Sequence, residues 1–175
     1  MTNNQLIITA KFTAAGDDTL QQVTSRLTEF SNGLLDCYEQ LQNDDDEATE
    51  LDVINDYARQ LGISVSDLVD CIYSPAVENA YDDEDKEALL SALLSLVNVN
   101  GNKVSLYSDT DSMDGYYSEF MDGTLSALLP LMDDKFATWT SITYDSKLGY
   151  EASTCAVMKD GAIYSIDDLV ANLPR

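Results

Sequence analysis

Carboxylates are the only chemically active groups this chain holds in quantity. It carries 32 acidic residues, 9 basic ones and no histidine, for a formal net charge of −23 over 175 residues. Without histidine the chain cannot itself supply the commonest general base or the commonest metal ligand. Nor can it form a serine–histidine or cysteine–histidine nucleophile pair. Paired carboxylates can do acid–base work in sugar hydrolysis, but with 32 of them any pair arises by chance. No glycine-rich phosphate loop or cleft-like aromatic pattern singles one out. The expectation is a protein without catalytic residues and without a cofactor.

The acids are concentrated. Asp36 to Glu87 holds 17 of them against two bases, Arg59 and Lys86, a net −15 in 52 residues. Two runs stand out: Asp44, Asp45, Asp46 and Glu47, and Asp82, Asp83, Glu84 and Asp85. Asp67, Asp70, Asp109, Asp111 and Asp114 form a second group of candidates. Duplex DNA carries one charge per ~1.7 Å of axis, or roughly one per 110 Å² of a cylinder about 10 Å in radius. Spread over a folded surface on the order of 8,500 Å², −23 is too dilute to match it. Gathered on a footprint of ~1,600 Å², the −15 of the middle segment would reach DNA's density. Such a face could stand in for a nucleic acid in the basic groove of a partner. The plain alternative is a solvated acidic surface.

Two segments invite other chemistry. Asp109-Thr110-Asp111-Ser112-Met113-Asp114-Gly115 begins like a calcium-binding EF-hand loop. Met113 then takes the fifth ligand position, the glycine falls one residue late, and Phe120 stands where the bidentate Glu belongs. No metal site is assigned. Tyr57-Ala58-Arg59-Gln60-Leu61-Gly62-Ile63-Ser64-Val65-Ser66-Asp67-Leu68 resembles a helix-turn-helix core, with small Ala58, turn glycine Gly62 and apolar Leu68. The likeness covers about 20 residues and implies closely crossing helices. It departs from that family where DNA is read, because the second helix offers Asp67 and Asp70 and no basic residue. Cys37, Cys71 and Cys155 are odd in number and form no CxxC motif, which fits reduced, inert thiols.

The elements that position these groups follow from periodicity. Gln5 to Phe12 reads as a strand. Leu20, Val23, Leu27, Phe30, Leu34, Tyr38 and Leu41 put one apolar stripe on a helix over Thr19 to Gln42, with Gly33 a possible break. Further helices are expected up to Gly62, from Ser64 or Ser66 to Tyr73, and over Leu89 to Val97, the last apolar over a wide arc and therefore the most buried. Asn98 to Asn102 reads as a turn and Lys103 to Ser108 as a strand. A helix is expected from Met113 or Tyr116 to Met132, its continuity weakened by Gly123 and Pro130. Phe136 to Tyr144, Tyr150 to Met158 and Ala162 to Ile166 read as strands, and Asp167 to Leu173 as a final helical turn. The class is α+β: an antiparallel sheet of four or five strands, helices on one face, and residues 43–100 as an acidic helical insertion in a single domain. The longest nearly apolar run, Leu89 to Val97, is too short to span a bilayer. Met1 to Gln5 lack the features of a signal peptide, so a cytoplasmic location is expected.

Function follows from charge. The chain should not grip nucleic acid or an anionic membrane directly. Its composition resembles that of acidic DNA mimics of phages and plasmids, which inhibit restriction enzymes or CRISPR effectors, although no shared motif carries the likeness. The expected partner is a basic nucleic-acid-binding protein, a nuclease or defence complex. Tyr73, Tyr81, Tyr107, Tyr116 and Tyr117 lie in or beside acidic stretches and could anchor such a contact. The alternatives are an immunity protein against a basic nuclease toxin and a soluble acidic structural or assembly protein.

Overall fold

The computed structural model describes residues 5–43, 47–110, 116–145 and 149–166. Six strands form one antiparallel sheet: β1 (Gln5–Thr13), β2 (Val97–Asn100), β3 (Lys103–Thr110), β4 (Phe136–Asp145), β5 (Gly149–Met158) and β6 (Ile163–Ser165). Their order is β2-β3-β1-β4-β5-β6. Six helices accompany them: α1 (Thr19–Asn43), α2 (Glu47–Leu61), α3 (Val65–Ile72), α4 (Pro75–Asp82), α5 (Lys86–Ser95) and α6 (Tyr116–Leu128), with a 3₁₀ turn at Leu129–Leu131. The α+β class with helices on one face holds, with six strands in place of the expected four or five.

The extra strand is β2. Asn98 and Asn100 made this stretch read as a turn, yet it pairs with β3 from Val97 opposite Leu106 to Asn100 opposite Lys103. Gly101, at φ +60°, makes the tight turn between them. Alternation then decides the faces. Ile8, Ala10 and Phe12 of β1 are buried, as are Val104, Leu106, Ala137 and Val157 on neighbouring strands. All of these look toward the helices.

α1 is the hub of the helical layer and contacts every other helix. Val23, Leu27, Phe30, Leu34 and Tyr38 of its stripe are buried, whereas Leu20, in the first turn, is 65% exposed. Gly33 does not break the helix. A Cβ there would lie 2.6 Å from Leu61 Cδ2, so the glycine marks where α2 crosses closely. Gly123 plays the same part in α6, where a Cβ would meet Cys71 Sγ at 2.1 Å. Arg26 ties these crossings together, donating to the carbonyls of Ala127 and Leu61 near the ends of α6 and α2.

α5 is not the most buried helix. Leu89 and Leu93 are buried while Leu90, Leu94 and Leu96 are only partly so, because α5 sits against the edge strand β2. α6 buries more, through Phe120, Met121, Thr124, Leu125, Ala127 and Leu128. One core joins both layers and includes Ile54, Leu68, Ile72, Val77 and Leu89 from the middle segment.

No helix among the described residues is long and apolar enough to cross a membrane. Among the described residues, no helix lies on the opposite face of the sheet. Thr9, Lys11, Tyr107, Asp109, Thr140, Tyr144 and Tyr150 alternate onto it. Tyr107 is 53% and Tyr150 78% exposed.

Candidate functional site

The helical layer presents its acids over a frame of tyrosines. On α1, Asp36 and Glu39 face solvent between buried neighbours. Tyr57 of α2 comes up beside them, and its hydroxyl accepts a hydrogen bond from Gln40 Nε2 at 2.9 Å. Burial raises its pKa, and the charge of Asp36 raises it further. One turn on, Tyr38 meets Tyr81 edge to face, with ring centroids 5.1 Å apart. Tyr38 too is pushed up, by burial and then by Glu78 and Asp82 of α4. Tyr73 donates to Glu50 Oε1 at 2.7 Å. That bond, followed by burial, lifts its pKa to about 12. A phenol that donates to a carboxylate fixes its position and leaves its charge intact.

Cations do little to offset these acids. Two ion pairs occur among the described residues, Arg26–Glu29 and Arg59–Asp56, each between residues three apart on one helix. Arg26 and Lys159 also donate to backbone carbonyls, and Lys11, Lys103 and Lys135 lie in or directly beside strands of the sheet. The middle acidic segment holds Arg59 and Lys86.

The second acidic run closes this surface. Asp82, Asp83, Glu84 and Asp85 are all exposed and link α4 to α5. Asp85 caps α5 by accepting from the Ala88 amide at 3.0 Å. Glu84 has φ +53°, the left-handed conformation in which a helix usually ends on glycine. The chain keeps a carboxylate at a position where glycine would fit with less strain. Glu39, Asp82 and Glu84 converge with Tyr81 and Lys86 on a cleft of about 600 Å³ between α1 and the α4–α5 link.

The other candidates are dispersed. Asp67 Oδ2 accepts from Ser126 Oγ at 2.7 Å and so belongs to the α3–α6 contact. Asp70 is half-buried, and its pKa is raised by burial and then by Asp67. Asp67 lines a separate cleft of about 480 Å³ that also includes Asp122 and Asp160. Asp109 projects from the open side of the sheet, where Gln5 and Tyr107 donate to it. Asp44, Asp45, Asp46, Asp111 and Asp114 lie outside the described residues, as do the side chains of Glu47, Tyr116 and Tyr117.

The helix pair resembling a helix-turn-helix is present. α2 ends at Leu61, Gly62 turns at φ +70°, and Ser64 caps α3 by accepting from the Asp67 amide. Its second helix packs into α6, with Asp67 bonded to Ser126 across that contact and Asp70 half-buried. Glu39, Glu50 and Glu78 contribute to the acidic surface although no run of like charge flags them. Their only sequence signal is helical spacing, such as Glu78 with Asp82 one turn apart. Cys37 and Cys71 are buried and Cys155 half-buried, none in a disulfide. Burial pushes Cys37 up to about 12, which keeps the thiol protonated and unreactive. No group of three or more potential metal ligands occurs among the described residues. No protein family, curated protein or solved structure matches this chain.

Proposed function

We propose that this chain is a non-catalytic inhibitor whose acidic helical layer occupies the basic nucleic-acid-binding surface of another protein. The observation that supports this reading most is the unneutralised state of that layer. Over a surface of 10503 Å², the net charge of −23 spread evenly would fall about fourfold short of DNA's density. The layer around α1, α2 and α4 gathers many of these acids beside phenols, and Arg26, Arg59 and Lys86 are the described cations beside them. Carboxylates at Glu39, Asp82, Asp83 and Glu84 would take the place of phosphates, and Tyr73 and Tyr81 would supply apolar contact. Partners of the expected kind are nucleases and defence complexes such as restriction enzymes and CRISPR effectors. Long-range attraction would make association fast and salt-sensitive.

The test is displacement. Bacterial lysate proteins are bound to immobilised duplex DNA and washed with this chain, or with polyglutamate of equal charge. The reading expects specific DNA-binding proteins to leave with the chain and remain with polyglutamate. Elution of nothing at low salt, where acidic attraction is strongest, would remove it.

One observation favours a second reading, an immunity protein against a nuclease toxin. Tyr73 is 49% exposed and held by Glu50, as an aromatic anchor would be. A loss of about a hundredfold in affinity from Tyr73→Ala alone would assign the chain to that class, because distributed charge does not depend on one side chain.

A further inference from the structure

The open face of the sheet differs from the rest of the surface. Ile7, Thr9, Thr140, Ile142, Tyr144 and Tyr150 point out from it in register. Thr140 and Thr154 share a cross-strand hydrogen bond of 3.1 Å, and the rings of Tyr144 and Tyr150 lie 4.7 Å apart. Among the described residues, the charged groups on its strands are Lys11, Lys103 and Asp109, with Asp134 on the rim beside both lysines. These two lysines and two aspartates cancel, so the described part of this face is neutral in a chain of net −23. Six strands about 4.8 Å apart, with central strands rising about 3.4 Å per residue, span roughly 24 by 30 Å. That plan area, roughly 700 Å², approaches the ~800 Å² per partner of a stable interface.

We propose that a second copy of this chain docks on this face, sheet against sheet, so that both acidic helical layers point outward. Charge decides the occupant. A basic partner finds no negative field here and an acidic partner no positive one, whereas the neutral face matches itself. The pairing is also self-complementary. Lys103 and Asp109 sit at opposite ends of β3. A two-fold axis midway between the two sheets, parallel to them and running across the strands, sets Asp109 of each copy over Lys103 of the other. Repulsion does not forbid this arrangement. Two sheets and two helical layers separate the outer carboxylates by roughly 40 Å, several times the ~8 Å screening length at physiological salt. The inference stands apart from the inhibitor reading, since neither surface needs the other.

The test is the mass of the full chain in solution, by light scattering and sedimentation up to about 200 µM, at about 20 mM and about 500 mM NaCl. The 19.3 kDa chain is expected to approach twice that mass, with the dimer about tenfold tighter at high salt because screening removes repulsion. Binding to a basic partner would show the opposite salt dependence. Thr140→Lys should weaken the dimer about tenfold or more, with unchanged circular dichroism and melting. Lys103→Asp should do the same, and Lys103→Asp combined with Asp109→Lys should restore it. A monomer at the highest concentration and salt overturns the proposal. So does a dimer indifferent to Thr140→Lys, which would place the contact elsewhere, for instance on an outer edge of the sheet.

Discussion

The helical layer and the sheet share one core, yet the helical surface and the open sheet face treat charge in opposite ways. Around α1, α2 and α4 the carboxylates stand with phenols beneath them and few cations nearby. Across the sheet, threonines and tyrosines alternate with a balanced handful of charges. A chain that needed acidity only for solubility would have no reason to exempt one face, and self-repulsion costs it stability wherever acids gather. The contrast supports the proposal that the acids serve a partner, and Glu84 illustrates it at a single residue. It holds a strained left-handed conformation that glycine adopts freely.

The largest effect should come from the link between α4 and α5. Replacing Asp82, Asp83 and Asp85 by Asn and Glu84 by Gln is expected to weaken association with a basic partner about tenfold or more at low salt, measured by titration calorimetry. Asp109→Asn on the sheet should change it less than about twofold. Equal effects from the two faces would erase the distinction between them.

Next come the helix crossings. Gly123→Ala drives a methyl group into Cys71 Sγ, which has little room to move. It should cost about 1–3 kcal/mol in denaturant unfolding. Gly33→Ala meets Leu61 Cδ2 at 2.6 Å on a buried side chain, and the helix-propensity gain of about 1 kcal/mol offsets part of that clash, so it should cost less than Gly123→Ala. Glu84→Gly should stabilise the fold by up to about 1 kcal/mol by relieving the left-handed strain, while weakening partner binding slightly.

Protonation gives the smallest effects. Asp70 holds its proton more tightly in the fold than its ordinary value. A raised carboxyl contributes stability that is fully present below the unfolded pKa and lost as pH rises through the folded one. Melting temperature should therefore increase as pH is lowered toward the ordinary carboxylate value of 3.8, with relief of acidic repulsion adding to the trend. Asp70→Asn should flatten it. Tyr73, at about 12 against its ordinary 10.0, acts likewise at the alkaline end, with stability lost as pH climbs from 10 to 12. Because the ring is half-exposed, Tyr73→Phe should cost less than about 1 kcal/mol and remove one late component from the tyrosinate absorbance.

Much of the fold was legible because it repeats. The stripe from Val23 to Tyr38 announced α1, alternation announced β4 and β5, and the Ala58–Gly62–Leu68 pattern announced the α2–α3 turn. What failed needed tertiary knowledge. Val97 and Val99 face the helices from an edge strand, but Asn98 and Asn100, which alternate with them, signalled a turn. Gly33 and Gly123 read as weak points, since nothing local says that a neighbouring helix requires their missing side chains. The arc of leucines in α5 signalled burial, although the edge of the sheet leaves half of them uncovered. Within the site, the run Asp82–Asp85 was visible as a run. Glu39 joins it only because α1 lies alongside α4, and Asp109 departs from it only because the sheet intervenes.

The most direct test of the central claim is the salt dependence of binding to one captured basic partner, with duplex DNA as competitor. A DNA-mimicking layer predicts mutually exclusive binding and an association constant that falls steeply and linearly with salt on logarithmic axes. The substitutions at Asp82–Asp85 should reduce that slope. Simultaneous binding of DNA and this chain to the partner, or an affinity indifferent to salt, would contradict it.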